Sequence, residues 1–208
     1  MVAGKKMKTS APIDSSRRGC PSGAFLAGLL AALLLTGFAI PAAIAQTPKP
    51  TEYDVEAAYL LNFGRFIRQP GGQPSRSSFD ICLLGHDLMG RTIDDLAANQ
   101  AIENLPVHVR RVLDVSRVKG CTIVFISADE SERIREDLAI LSATGVLTVS
   151  DAPDFLDRGG MIQFLLIQNH VRFSVNLNAV NHAHIVLSSE LLRVASSITG
   201  KPPSGGQP

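Results

Sequence analysis

Cys82 and Cys121 are two of the three cysteines in this chain of 208 residues, and the third, Cys20, lies ahead of a long apolar run. On neighbouring strands in an oxidising compartment such a pair forms a disulfide; otherwise the two are buried core thiols. The histidines offer less. His182-x-His184, with His170 nearby, falls short of the three or four ligands a zinc site needs, and His86 and His108 lie in other segments, so no metal is expected. Arg158-Gly159-Gly160 invites a phosphate-loop reading. No Lys-Ser/Thr follows it, however, and the next segment reads as a strand, so a tight turn is the better account. Ser150-Asp151, Asp154 and Asp157 are tied by spacing to no histidine, and G-x-S-x-G, H-E-x-x-H and a cofactor fingerprint are all missing. No catalytic residue and no cofactor are therefore expected. Arg65, Arg68, Arg158 and Arg172 are candidates to line an anion or small-ligand pocket near a sheet edge; ordinary surface arginines with packed stems are the alternative.

Which chemistry the cysteines do depends on compartment. Lys5, Lys6, Lys8, Arg17 and Arg18 form a basic leader, residues 24–40 carry no charge, and Ala43-Ile44-Ala45 supplies small residues at −3 and −1. This is the layout of a secretory signal peptide, with cleavage expected after Ala45. Retention of the apolar run as a membrane anchor is the alternative. Cleavage removes Cys20. It also removes five of the 20 basic residues and one of the 19 acidic ones, leaving 163 residues with 15 basic against 18 acidic and a formal charge of −3. A mildly acidic exported domain gives no electrostatic reason to expect nucleic acid. That length suits one domain with a full core.

The elements that must position these residues follow from periodicity. A Pro-containing linker (46–52) leads into a helix over 54–68, with Asp54 at its start and an apolar stripe of Val55, Ala58, Tyr59, Phe63, Phe66 and Ile67. Residues 70–74 stop it. Strands are expected over 79–84, 107–113, 121–126, 146–149, 161–168 and 171–176, with helices over 88–98, 129–141 (capped by Ser127) and 189–197. Asn169-His170 reads as a hairpin link, residues 178–182 as a turn, and 199–208 as a disordered tail. The alternation predicts an α/β fold: a mainly parallel sheet flanked by helices on both faces, with an antiparallel C-terminal hairpin, in one compact domain over 53–198.

The ordered series EYDVEAAYLLNFGRFI, DICLLG, VHVRRV, CTIVFIS, VLTVSD, FLDRGGMIQFLL, VRFSVNLNAV and SSELLRVA resembles the YfiR-like periplasmic regulator family. The resemblance implies a small, dimeric α/β regulator with no chemistry of its own. It would restrain an inner-membrane diguanylate cyclase by binding its periplasmic sensor region, and an OmpA-like outer-membrane lipoprotein would sequester it. Lower cyclic di-GMP and less biofilm would follow from a differential affinity for one sensor conformation. Relatives carry cysteines in both strands that hold Cys82 and Cys121, which supports their pairing. A second cysteine pair of some relatives is missing from SDAPDFLDRGG. Two other readings compete: a small-ligand sensor that uses the arginines, and an accessory to a different membrane sensor such as a histidine kinase.

Overall fold

A computed structural model describes residues 49–68 and 76–201, all within the compact unit Pro48–Pro208. The expected signal peptide (1–45), residues 46–48 of the linker, the loop at 70–74 and residues 202–208 of the tail lie outside the described residues. Among the described residues no helix is long and apolar enough to cross a membrane.

The first helix, α1 (Glu52–Phe66), starts at Thr51, whose hydroxyl accepts from the Asp54 amide while the Asp54 carboxylate accepts from the Thr51 amide at 2.7 Å. This reciprocal capping box satisfies two otherwise orphaned donors. The Asp54 carboxylate also accepts from the Thr92 hydroxyl at 2.6 Å, which ties α1 to α2 (Gly90–Ala97). The buried face differs from the expected stripe. Ala57, Leu60, Leu61, Phe63 and Gly64 go inward, while Val55, Ala58, Tyr59 and Phe66 are only half-buried. The helix ends two residues early because Ile67–Arg68 forms β1, paired antiparallel with β9 (Val186–Leu187).

The main sheet runs, strand beside strand, 197–199, 170–176, 162–167, 147–150, 123–126, 79–84, 105–112 and 101–102. Its parallel centre comprises β2 (Phe79–Leu84), β4 (Leu105–Val112), β5 (Ile123–Ile126) and β6 (Leu147–Ser150), joined by β7 (Ile162–Ile167). The chain steps from β2 outward to β4 and then back across β2 to β5, so the strand order reverses between β2 and β5. Continuous apolar runs suit strands covered on both faces. Ile81, Leu83, Ile123 and Phe125 face one core with α1, while Cys82, Leu84, Val124 and Ile126 face a second with α3 (Ile134–Leu141). On the α1 side, Phe63 stacks on Phe164 at 5.8 Å between ring centres and meets Phe173 edge-on at 5.1 Å. Such pairs contribute about 0.5–1.5 kcal/mol each beyond area burial.

The expected antiparallel hairpin is β7–β8 (His170–Asn176), but its turn is Gln168-Asn169. Both have positive φ, 49° and 62°, as a two-residue turn of this twist requires, and His170 is already in the strand. The helix expected over 129–141 is divided. Ser127 caps a 3-10 turn, Ala128–Glu130, and Ser131 and Arg133 continue its i→i+3 bonding before α3 begins. Residues 178–182, expected as a turn, belong to α4 (Leu177–His182), whose first amides are capped by the Asn176 side chain. The last helix, α5 (Ser189–Val194), stops early because the Ser196 amide donates to the Phe173 carbonyl and draws Ser197–Thr199 onto β8 as β10. Ordered structure thus reaches past position 199, since the Lys201 carbonyl accepts from Asn181 at 2.9 Å. The hairpin β3 (Ala101–Ile102)–β4 was too short to read from periodicity.

Candidate functional site

Cys82 on β2 and Cys121, two residues before β5, form a disulfide with 5.9 Å between their Cα atoms. Parallel pairing of β2 with β5 sets this reach, since Ile81 lies opposite Ile123. Both cysteines are buried in the second core beside Leu84, Val124 and Leu138. Arg110 reaches over the site, donating to the Arg117 and Lys119 carbonyls and to Asp80, and lying 3.8 Å from the Cys121 sulfur. Reactive cysteines sit in partly exposed positions, so this buried bond is a structural one.

The four arginines singled out in the sequence do not form one pocket. Arg65, exposed on α1, donates to the Gln100 side chain at 2.9 Å. Arg68 donates to the Ile67 carbonyl at 2.8 Å and pairs with Glu103 at 3.5 Å. Arg172 is exposed on β8, opposite Leu165. Arg158 lies apart from all three, in the loop before β7, donating to the Ser131 carbonyl at 2.6 Å. Gly159-Gly160 beside it is a turn: Gly159 has φ +103°, and a Cβ on Gly160 would overlap the Phe155 ring.

The other candidates are held in local structure. His170 Nδ1 lies 2.8 Å from the Gln168 carbonyl, and among the described residues no group of three or more His, Cys, Asp or Glu is arranged to hold a metal ion. Ser150 donates to the Ile126 carbonyl at 2.6 Å, and Asp151 accepts from the Ala128 amide at 2.9 Å. These bonds bind the ends of β5 and β6 together.

One residue was missed. Glu56 on α1 is fully buried, and neither of its carboxyl oxygens has a hydrogen-bond partner among the described residues. Burial pushes its carboxyl up to about 8, reinforced by the charges of Asp151 and Glu52. Asp151 is raised as well, again chiefly by burial. The readable signal was an acid set among Val55, Ala57, Leu60 and Phe63 on one helix.

A concave groove of about 470 Å³ opens between α3 and α4. One wall is an i, i+3, i+4 stripe of α3, namely Arg135, Leu138 and Ala139. The other is Asn178, Ala179 and His182 of α4, with Met161 at the base and Arg158 at the rim. Among the described residues no Asp or Glu lines it.

The model of a family described as YfiR/HmsC-like matches residues 53–196, from the first turn of α1 to the residue before β10. The chain belongs to the YfiR/HmsC-like family. Its members are periplasmic, non-catalytic regulators of diguanylate cyclase signalling. No curated protein matches the chain. Among solved structures it is similar to a conserved domain protein from Vibrio cholerae O1 biovar El Tor, at 9% identity over 72% of this chain, with a TM-score of 0.46. It is also similar to an ABC domain from Streptococcus pneumoniae in complex with L-Trp, at 8% identity over 58% of this chain, with a TM-score of 0.43. The matches span 60% and 55% of those chains.

Proposed function

We propose that this YfiR/HmsC-like protein is a homodimeric periplasmic repressor that binds the periplasmic sensor region of an inner-membrane diguanylate cyclase. Binding holds the cyclase in its inactive conformation, so cyclic di-GMP and biofilm formation fall. An OmpA-like outer-membrane lipoprotein relieves the repression by competing for the regulator. The observation that carries this reading is the family match across residues 53–196. The basic, apolar and A-x-A segments of residues 1–45 agree with export. A buried disulfide suits an oxidising compartment.

Repression of this kind needs differential affinity for two conformations of the partner and no chemistry in the regulator. The inward face of α1 is spent on the core, where Leu60 and Phe63 are fully buried, and Val55, Tyr59 and Phe66 are half-buried against the same core. On α5, Leu191 is buried but Val194 is 62% exposed, and Ile198 of the following strand β10 is 43% exposed. This end of the sheet offers the apolar contact. Crosslinking in intact cells, followed by purification of the tagged regulator from membranes, tests the proposal. It is expected to recover a diguanylate cyclase, with yield lowered by Val194→Asp. Recovery of a histidine kinase or another sensor in its place would contradict it.

A further inference from the structure

The groove between α3 and α4 has a chemical character that repression by protein contact does not use. We propose that it binds an organic anion with an aliphatic body, its carboxylate or phosphate head taken by Arg135 and Arg158.

The groove is set apart by its charge. Four arginines of the fold are paired with acids, Arg111 with Asp87 and Asp94, Arg110 with Asp80, Arg68 with Glu103 and Arg133 with Asp114, whereas what marks Arg135 and Arg158 is that they share one concavity. Among the described residues neither Arg135 nor Arg158 has a carboxylate within ion-pair distance, and both line one concavity with no acid in its wall. Two guanidinium groups lining one concavity focus positive potential there and raise the local concentration of anions. Arg158 commits one N–H to the Ser131 carbonyl, which pins the side chain and leaves the rest of its donor fork for a ligand. His182 adds a ring nitrogen from the opposite wall.

Its shape and lining set it apart as well. A volume of about 470 Å³ falls within the range of small-molecule sites, roughly 300–1,000 Å³. Leu138, Ala139, Met161 and Ala179 give the groove an apolar surface. Among the described residues no Phe, Tyr or Trp lines it, so none of them stacks on a base or an indole ring, and an aliphatic body fits better than a nucleotide. The rim is also preformed. The Gly160 amide donates to the Phe155 carbonyl at 2.9 Å, and the Asn176 side-chain amide donates to the Leu156 carbonyl at 3.1 Å, fixing the loop that carries Arg158. A fixed loop keeps the ordering cost of binding small.

Calorimetric titration of the purified exported protein tests the inference, independently of any membrane partner. The probes are decanoate, decanol and inorganic phosphate. Decanoate is expected to bind one per chain, at least about tenfold more tightly than either decanol or phosphate, because each lacks one half of the match. Arg135→Gln should weaken decanoate about tenfold. Ala139→Trp should block the groove. Both positions are exposed on α3, so an unchanged thermal midpoint will show that the fold is kept. Failure of decanoate to bind, equal binding of decanol, or decanoate affinity unmoved by both variants would overturn the proposal.

Discussion

Cys82 and Cys121 join two parallel strands at the point where the sheet order reverses, their Cα atoms 5.9 Å apart and 39 residues apart in sequence. The bond cross-links β2 to the entry of β5, the pair on which the second core is built.

Removing that cross-link with Cys82→Ala/Cys121→Ala should destabilise the domain by about 2–4 kcal/mol, since a closed loop of this length restricts the unfolded chain. Urea unfolding of the oxidised protein against the double variant measures the difference. Equal midpoints, or two free thiols in the untreated protein, would contradict the cross-link.

Glu56 gives a pH signature. Its carboxyl is raised from an ordinary 4.5 to about 8, so between those values the folded chain holds a proton that the unfolded chain has released. Stability must therefore fall as pH rises from about 5 to 8, and the contribution is lost above that. The loss is on the order of 4 kcal/mol, and Asp151, also raised, acts in the same direction. Glu56→Gln should flatten the slope, leaving the variant more stable than the parent at pH 9 and close to it near pH 4.5. Parallel stability curves for the two proteins would refute this account of the buried carboxyl.

Gly160 and Phe155 form a packed pair in which the ring occupies the space a Cβ would need. Gly160→Ala should cost about 1–3 kcal/mol through overpacking. Adding Phe155→Leu should recover part of that loss, so a double-mutant cycle by thermal unfolding reads the contact directly. Strict additivity of the two changes would show that the ring does not set the glycine requirement.

The sheet was legible because its central strands are continuous apolar runs, as in CTIVFI; the Cys82–Cys121 pairing was one of two readings of the residues and drew its support from the resemblance, and the structure places Cys121 just ahead of β5. The face of α1 was not. A helix apolar at 55, 57, 58, 59, 60, 61 and 63 has no sharp period, and its partners chose the side: Phe164 and Phe173 press on Phe63, while Phe79 and Ile102 close on Gly64. The short strands β1, β3, β9 and β10 depend on pairings too brief to leave a pattern. The groove was unreadable for a related reason. It needs residues 177–182 to be helical and set across from α3, and that segment is a six-residue helix with only Leu177 and Val180 buried, too short to show a period, its start set by the Asn176 cap. Arg158 was visible among the arginines, but its companion Arg135 is seen only once α3 faces α4.

The central claim is repression of a diguanylate cyclase from the periplasmic side, and the most direct test is intracellular cyclic di-GMP measured by mass spectrometry. Deleting the gene should raise cyclic di-GMP and biofilm together, and expressing the protein with its leader should restore both, whereas expression without residues 1–45 should not. Unchanged cyclic di-GMP on deletion, in cells that express the cyclase partner, would contradict the account.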